Sequence, residues 1–177
     1  MSVLIKQYHH VDAPRVSLRR LNQKDARNFA LLLGGDQRSI LMMARMPHPC
    51  TRQSAGDWID DHSTPGSHTY GIVRRSDRDF LGVIGLNTDE AVPELGYWVG
   101  RPYWSHGYAT EAIKVLETVA SQLGFSRLAA ETFVQNIASQ RVLAKSGYQQ
   151  QGLFDREFPE PRGRNKVYRF EKSLSLT

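Results

Sequence analysis

Residues 94–112 read Glu-Leu-Gly-Tyr-Trp-Val-Gly-Arg-Pro-Tyr-Trp-Ser-His-Gly-Tyr-Ala-Thr-Glu-Ala. This stretch predicts a strand from Glu94 to Val99, a tight loop, and a helix that begins at Tyr108. The helix is indicated by four apolar residues at helical spacing: Ile113, Leu116, Ala120 and Leu123. Its first peptide N–H groups have no partner inside the helix, and the helix dipole adds about half a positive charge there. The loop before Tyr108 is therefore predicted to bind a phosphate group.

Gly107 lies in that loop and fits two roles. A glycine lets the backbone approach a ligand closely, but it also simply permits a turn. A second motif favours the role of Gly107 in ligand binding. Residues 136–148 follow one strand and one helix later and read Asn-Ile-Ala-Ser-Gln-Arg-Val-Leu-Ala-Lys-Ser-Gly-Tyr.

Together the two motifs resemble the GCN5-related N-acetyltransferase superfamily. The patterns Gly-Tyr-Trp, Tyr-Trp-x-x-Gly-Tyr-Ala-Thr-Glu-Ala and Asn-x-x-Ser-x-Arg-Val-Leu-x-Lys-x-Gly-Tyr are similar to the branch that includes the ribosomal-protein N-terminal acetyltransferases. The resemblance implies one N-acetyltransferase domain over residues 1–177, of α/β (α+β) class. It further implies a mixed, mostly antiparallel sheet with helices on both faces and a splayed central strand pair.

The same resemblance implies acetyl-CoA as acetyl donor and no metal. The pyrophosphate would be held by main-chain amides of one loop, made of Trp104, Ser105, His106, Gly107, Tyr108, Ala109 and Thr110. The pantetheine arm would pair with the backbone of Trp98 and Val99. Asn136 either contacts that arm or caps the following helix, and Arg141 and Lys145 either meet the phosphates or face solvent.

Two residues are implied to take part in catalysis. Ser139 corresponds to the proposed acid that protonates the departing CoA thiolate. Many superfamily members use a tyrosine instead, but Leu143 occupies that place here. Glu94 is the first candidate for the base that deprotonates the acceptor amine. Three other carboxylates remain as rivals: Glu131, Glu157 and Glu160.

The composition excludes several classes of protein. Of 177 residues, 40% are hydrophobic and 23% are charged, which is typical of a globular domain. No apolar run approaches the roughly 20 residues of a membrane span, and the N-terminus is too polar beyond Ile5 for a signal peptide. The lone Cys50 cannot form an intramolecular disulfide, so a cytoplasmic location is expected. The histidines show no zinc-ligand spacing.

The net charge of +5 favours anionic partners. Nucleic-acid binding is not expected, because the cationic residues are scattered rather than concentrated on one segment.

The remaining elements are predicted from hydrophobic periodicity, turn residues and caps. Strands are expected at 15–21, 69–75, 80–87, 127–133, 148–154 and around 166–172, and helices at 22–33, 39–46, from Thr51 past Trp58, and 137–146. Pro159, Pro161 and Gly163 predict a long loop over residues 155–165 that helps to shape the acceptor site.

The acceptor and the assembly stay open at this level. A protein N-terminal α-amine, attacking acetyl-CoA directly in a ternary complex, is the first hypothesis. A small amine such as a polyamine or an aminoglycoside is the alternative, as is a CoA-binding regulator without catalysis. Both monomer and homodimer are compatible with the sequence.

Overall fold

The computed structural model describes residues 10–175. It contains eight strands: β1 (His10–Asp12), β2 (Val16–Arg20), β3 (His68–Arg74), β4 (Phe80–Asn87), β5 (Glu94–Val99), β6 (Arg127–Phe133), β7 (Gln149–Phe158) and β8 (Gly163–Ser173). Its α-helices are α1 (Ala26–Phe29), α2 (Gln37–Leu41), α3 (Arg52–His62), α4 (Tyr108–Gln122) and α5 (Ile137–Lys145). Residues 1–9, for which no signal peptide was expected, and residues 176–177 lie outside the described residues.

The strands form one sheet in the order β1-β2-β3-β4-β5-β6-β8-β7. Only the β5–β6 pair of this sheet is parallel in the described residues, and only Glu94 and Ala129 are paired in it. The Ala129 amide donates to the Pro93 carbonyl oxygen at 2.9 Å. Beyond Glu94 the two strands diverge, which confirms the predicted splayed pair.

The helices cover both faces of the sheet, as predicted. On one face, buried residues of α4 such as Ile113 and Leu116 pack against Ile84 and Leu95 of the central strands. On the other face, Phe29 of α1 and other residues of the N-terminal helices pack against Trp98 of β5. Because strand side chains alternate between faces, Glu94, Gly96 and Trp98 share the face of α1 and α3.

The predicted loop over residues 155–165 is wrong. Strand β7 continues to Phe158, β8 begins at Gly163, and the turn between them is confined to residues 159–162. Both prolines fall within this turn. The residues on either side of the turn form a hairpin instead, and among the described strands β7 pairs only with β8, so it is an edge strand.

The N-terminal region also differs from its prediction. Helix α2 begins at Gln37 because the Asp36 carboxylate accepts from the amides of Arg38 and Ser39 at 3.2 Å each, and it ends at Leu41 rather than at residue 46. The predicted helix over 22–33 is divided into 3₁₀, α and π segments. Strand β1 was not predicted. The Thr51 cap is confirmed, with the Ser54 amide donating to Oγ1 at 3.1 Å.

Within residues 10–175, no helix combines the length and the apolar character that a membrane crossing requires.

The core under β5 yields a stability prediction. Phe29 is fully buried and lies with its ring centroid 4.9 Å from that of Trp98. We expect Phe29→Ala to lower the free energy of unfolding by about 3–5 kcal/mol in urea titrations, because it leaves a cavity. Leu31→Ala is the matched control, since Leu31 is 62% exposed. Equal effects of both changes would contradict this account of the core.

Candidate active site

The loop before α4 has the backbone geometry of an anion site. Gly107 is the N-cap residue of α4, has φ of 80°, and no side chain caps the helix. Ser105 also has a positive φ, of 63°, which is uncommon for a residue with a side chain. Strained turns of this kind orient successive N–H groups toward one point and occur at ligand sites.

The amides of this loop are free to bind a ligand. Among the described residues, no acceptor is paired with the N–H groups of residues 105–110. The Trp104 amide donates to Arg101, and the Glu111 amide is the first of the helix to find an internal partner, the Gly107 carbonyl oxygen at 3.1 Å. The loop therefore offers several N–H donors at the positive end of a 15-residue helix.

Arg15 holds this loop in place. Its Nη1 donates to the His106 carbonyl oxygen at 2.9 Å, and its Nε donates to the Glu111 carboxylate at 2.8 Å. The other Glu111 oxygen accepts from the amides of Arg15 and Val16 at 2.6 and 3.2 Å. Glu111 thus joins α4 to β2, and Arg15 adds a positive charge beside the free amides.

Side chains of the loop support its shape. The Trp104 indole N–H donates to the Val99 carbonyl oxygen at 2.5 Å. The His106 Nδ1–H donates to the Trp104 carbonyl oxygen at 2.7 Å, and its ring stacks on Tyr108 with centroids 5.7 Å apart. Trp104, Ser105, His106 and Gly107 are all exposed, so a ligand has access to them.

Helix α5 and its N-cap contain three of the predicted cofactor-binding residues, Asn136, Arg141 and Lys145. The Asn136 side-chain oxygen accepts from the Ser139 amide at 3.2 Å, so Asn136 is the N-cap of α5. Asn136 also lines the cleft described below. Arg141 and Lys145 are exposed, and neither forms an ion pair or hydrogen bond with another described side chain.

The divergence of β5 from β6 leaves part of a strand edge open. The Gly100 amide donates to the Leu81 carbonyl oxygen at 2.8 Å, which fixes the hydrogen-bonded positions of β5 and β4. By the alternation of an antiparallel ladder, Trp98 pairs its peptide groups with β4, whereas those of Tyr97 and Val99 face the gap. Val99 therefore faces the gap, as its predicted contact with the pantetheine arm requires. Trp98 does not, and Tyr97 takes its place at this edge.

A cleft of about 1100 Å³ opens at this gap. Glu94 and Ser139, the two predicted catalytic residues, both line it. Its walls come from residues 42–46 after α2, from α3 and the segment that follows it, and from the ends of β6 and β7. The fold therefore brings the two residues to one cavity, although they are 45 positions apart in the chain.

Glu94 is a half-buried carboxylate that lines this cleft. Burial raises its pKa above the ordinary value, Arg45 opposes the shift, and Glu131 adds to it. Among the described residues, no group forms a hydrogen bond or ion pair with the Glu94 side chain. A half-buried carboxylate without a fixed partner is suited to accept a proton near neutral pH.

The rival carboxylates are less suited to this role. Glu131 binds Arg156 through two hydrogen bonds of 2.8 and 3.1 Å and lies 3.6 Å from Arg169. Glu157 and Glu160 are exposed, as ordinary surface acids are. The two arginines occupy the oxygens of Glu131, so these oxygens are less available to an incoming amine.

Ser139 has a partner that the sequence did not indicate. The Tyr97 hydroxyl lies 2.9 Å from Ser139 Oγ. Burial raises the pKa of Tyr97 to about 12, so the phenol stays protonated at physiological pH. The sequence does not reveal this contact, because the alternation of β5 shows which face a side chain takes but not which helix meets it.

The loop geometry yields a binding prediction. A Cβ atom on Gly107 would lie 3.3 Å from the Arg15 guanidinium, and Gly107→Glu would put a carboxylate beside the free amides. We expect this change to weaken acetyl-CoA binding by about 100-fold, or ~3 kcal/mol, in calorimetry. Gly124→Glu is the control, since Gly124 has a similar φ of 91° with nothing within 4 Å. Unchanged affinity in the Gly107 variant would rule out this loop as the phosphate site.

Comparison with known proteins agrees with this geometry. Residues 15–149 match the family described as an acetyltransferase (GNAT) domain. YoaA of Bacillus subtilis, an uncharacterized N-acetyltransferase, is 38% identical over 88 residues, which cover 48% of this chain and 50% of YoaA. The chain thus matches about half the length of that relative.

Two solved structures share the whole fold. RimL, a ribosomal L7/L12 alpha-N-protein acetyltransferase in complex with coenzyme A, has a TM-score of 0.81 at 14% identity, covering 95% of this chain and 99% of its own. MccE, a microcin C7 self-immunity acetyltransferase in complex with acetyl-CoA and AMP, has a TM-score of 0.77 at 16% identity, covering 92% and 94%. Since the family match includes the loop before α4, Glu94 and Ser139, the chain belongs to the GNAT acetyltransferase family.

Proposed function

We propose that this protein is an acetyl-CoA-dependent N-acetyltransferase whose acceptor is the α-amine of a protein N-terminus. The observation that carries the proposal is the common cleft of Glu94 and Ser139, which opens where β5 leaves β6. A base candidate and an acid candidate face one cavity, and a loop of free amides lies beyond the far end of the same strand.

The residues present fit acetyl-CoA. The unpartnered amides of residues 105–110 would hold its pyrophosphate, with the Arg15 guanidinium beside them, and Arg141 and Lys145 on α5 remain candidates for its other phosphate. The peptide groups of Tyr97 and the Val99 N–H, which face the gap, would pair with its extended arm; the Val99 carbonyl oxygen accepts from the Trp104 indole. The donor supplies an activated acetyl group as a thioester.

Glu94 would take the proton from the acceptor amine, directly or through water. A protonated amine has no free electron pair, so this proton must leave before or during attack on the thioester carbonyl. An α-amine, with pKa about 8, demands less of the base than a lysine near 10.4. The raised pKa of Glu94 brings it closer to that of the amine.

Ser139 would donate a proton to the sulfur as the thiol leaves. The Tyr97 hydroxyl lies 2.9 Å from Ser139 Oγ, and either oxygen can be the donor; this role requires the arrangement in which Tyr97 donates. The Ser139 hydroxyl hydrogen then points away from Tyr97. We therefore assign Tyr97 as a positioning residue for Ser139.

Direct attack is favoured over a covalent acyl-enzyme. Cys50 is buried, and burial raises the pKa of its thiol to about 11. A thiol of this kind has little thiolate at neutral pH, and Cys50 does not line the cleft.

The size of the cleft supports a peptide acceptor. Its volume of about 1100 Å³ leaves room for the first residues of a peptide beside the arm of the donor. The RimL fold neighbour acts on a protein α-amine, which is consistent with this choice.

The charge of the cleft favours a second candidate, a small polycationic amine. Six carboxylates line the cleft: Asp61, Asp89, Glu90, Glu94, Glu131 and Glu157. Three arginines line it: Arg45, Arg156 and Arg169. This acidic excess lies on a protein with a net charge of +5, so the field would concentrate cations in the cleft.

A thiol-release assay tests the proposal and separates the acceptors. We expect free CoA to appear when the protein is mixed with acetyl-CoA and heptapeptides with free N-termini, with a higher kcat/KM than for spermidine or kanamycin. The same peptides with blocked N-termini are the control. A stable acetyl-CoA complex without thiol release from any amine would instead identify a CoA-binding regulator.

Replacement of Glu94 should have opposite effects on activity and stability. We expect Glu94→Gln to lower kcat/KM by about 10²–10⁴-fold. In the wild-type protein, protonation of Glu94 should make kcat/KM fall at acid pH, with a midpoint above the ordinary Glu pKa of about 4.3, and the variant should lack this fall. A raised folded-state pKa means that stability is lost as pH rises through it, so the variant should unfold at an equal or higher temperature at pH 8. Glu157→Gln is the control at the exposed rim. An unaltered pH–rate profile in the Glu94 variant would exclude Glu94 as the base.

The Tyr97–Ser139 pair can be tested by a double-mutant cycle. We expect Ser139→Ala to lower kcat by at least about 100-fold and Tyr97→Phe by about 3- to 10-fold, with acetyl-CoA affinity little changed. If Tyr97 acts through Ser139, the double variant should be no slower than Ser139→Ala alone. Multiplied losses would show that Tyr97 has a separate structural role.

A further inference from the structure

Gly96 lies on the central strand β5 and has no local reason to be glycine. It is exposed, between the buried Leu95 and the half-buried Tyr97. Its φ is not among the positive values of the chain, so the backbone does not require glycine there. A Cβ atom built on Gly96 would meet no atom of residues 10–175 within 4 Å.

The other strand glycines of the described chain differ from it. An added Cβ on Gly82 would collide with the Trp98 carbonyl oxygen, and on Gly85 it would lie 2.9 Å from Thr69 Oγ1. On Gly71 and Gly152 it would lie 3.2 and 3.0 Å from an aromatic ring. Packing explains those four glycines and a positive φ of 55° explains Gly163 at the start of β8, whereas the space in front of Gly96 is part of the cleft.

That space adjoins the base candidate. Glu94, Gly96 and Trp98 share one face of β5, and all three line the cleft. Neighbouring residues on the same face of a strand are about 7 Å apart, so a group over Gly96 is within reach of the Glu94 carboxylate. Trp98 is buried below, with no hydrogen-bond partner for its indole N–H.

We propose that Gly96 is a specificity-determining residue, and that its missing side chain forms the floor of the subsite for the first residue of the acceptor. The inference rests on the proposed function. The space above Gly96 admits an amine that bears a substituent on its α-carbon, and it places the amine nitrogen beside Glu94. An alanine or larger residue at position 96 would occupy the same volume.

The acceptor, rather than acetyl-CoA, is the occupant that the geometry favours. The peptide groups of β5 that suit the pantetheine arm are those of Tyr97 and the Val99 N–H, and they point along the sheet toward β6. The Gly96 α-carbon instead faces the side of α1 and α3, where Glu94 lies. The two ligands therefore meet β5 on different sides.

A graded series at position 96 tests this. With heptapeptides that differ only in their first residue, we expect Gly96→Ala to lower kcat/KM for the acceptor by about 10- to 200-fold, and Gly96→Val to lower it further. The loss should be smallest for peptides that begin with glycine. Acetyl-CoA affinity should stay within about twofold, and the melting temperature should be unchanged or higher, because glycine is unfavourable inside a strand.

Gln149→Val is the control for a new side chain at an exposed strand position away from the cleft. Wild-type acceptor kinetics in Gly96→Val would overturn the proposal, and so would a loss of acetyl-CoA affinity as large as the loss in kcat/KM. If the wild-type protein released no thiol with any amine, the proposed function itself would be wrong. If the wild type were active and the Gly96 variants equally active, only the role of Gly96 would be wrong.

Discussion

The separation of β5 from β6 is the constraint on which the site depends. The two strands share the pair Glu94–Ala129 and then diverge, although each remains paired with its other neighbour. A parallel pair inside a sheet normally satisfies every peptide group on both sides. Here the divergence exposes one edge of β5, creates a cleft in the middle of the sheet, and leaves Gly96 exposed on a central strand. Unsatisfied peptide groups at such a position are costly unless a ligand or water binds them.

The ion pairs around the cleft distinguish Glu94 from Glu131 as the candidate base. Glu131 is neutralised by Arg156 and Arg169, which come from the hairpin of β7 and β8. Glu94 lies at the start of the divergence, has no such partner, and is buried enough to have a raised pKa. The two glutamates thus differ in their surroundings, since arginines occupy the oxygens of Glu131, whereas burial raises the pKa of Glu94.

The phosphate loop is stabilised from outside its own segment. Arg15 and Glu111 connect β2, the loop and α4 through hydrogen bonds between 2.6 and 3.2 Å. The glutamate of the Ala-Thr-Glu-Ala motif therefore contributes structure, while the amides before it remain free. A rigid loop loses little conformational entropy when a ligand binds, so this bracing supports affinity without touching the ligand.

Local sequence was sufficient for the elements that depend on near neighbours. The spacing of Ile113 and Leu116 indicated α4, and Gly107 at its start indicated free amides, because helix periodicity and helix ends are properties of a short segment. The length of β7, the pairing of Glu131 with Arg156, and the contact of Tyr97 with Ser139 could not be read in this way. Each of them joins residues between 5 and 42 positions apart, and depends on which strands pair and how far each helix reaches across the sheet. Residue types and spacing therefore identify the candidate groups, whereas burial and long-range pairing determine which of them are free to act.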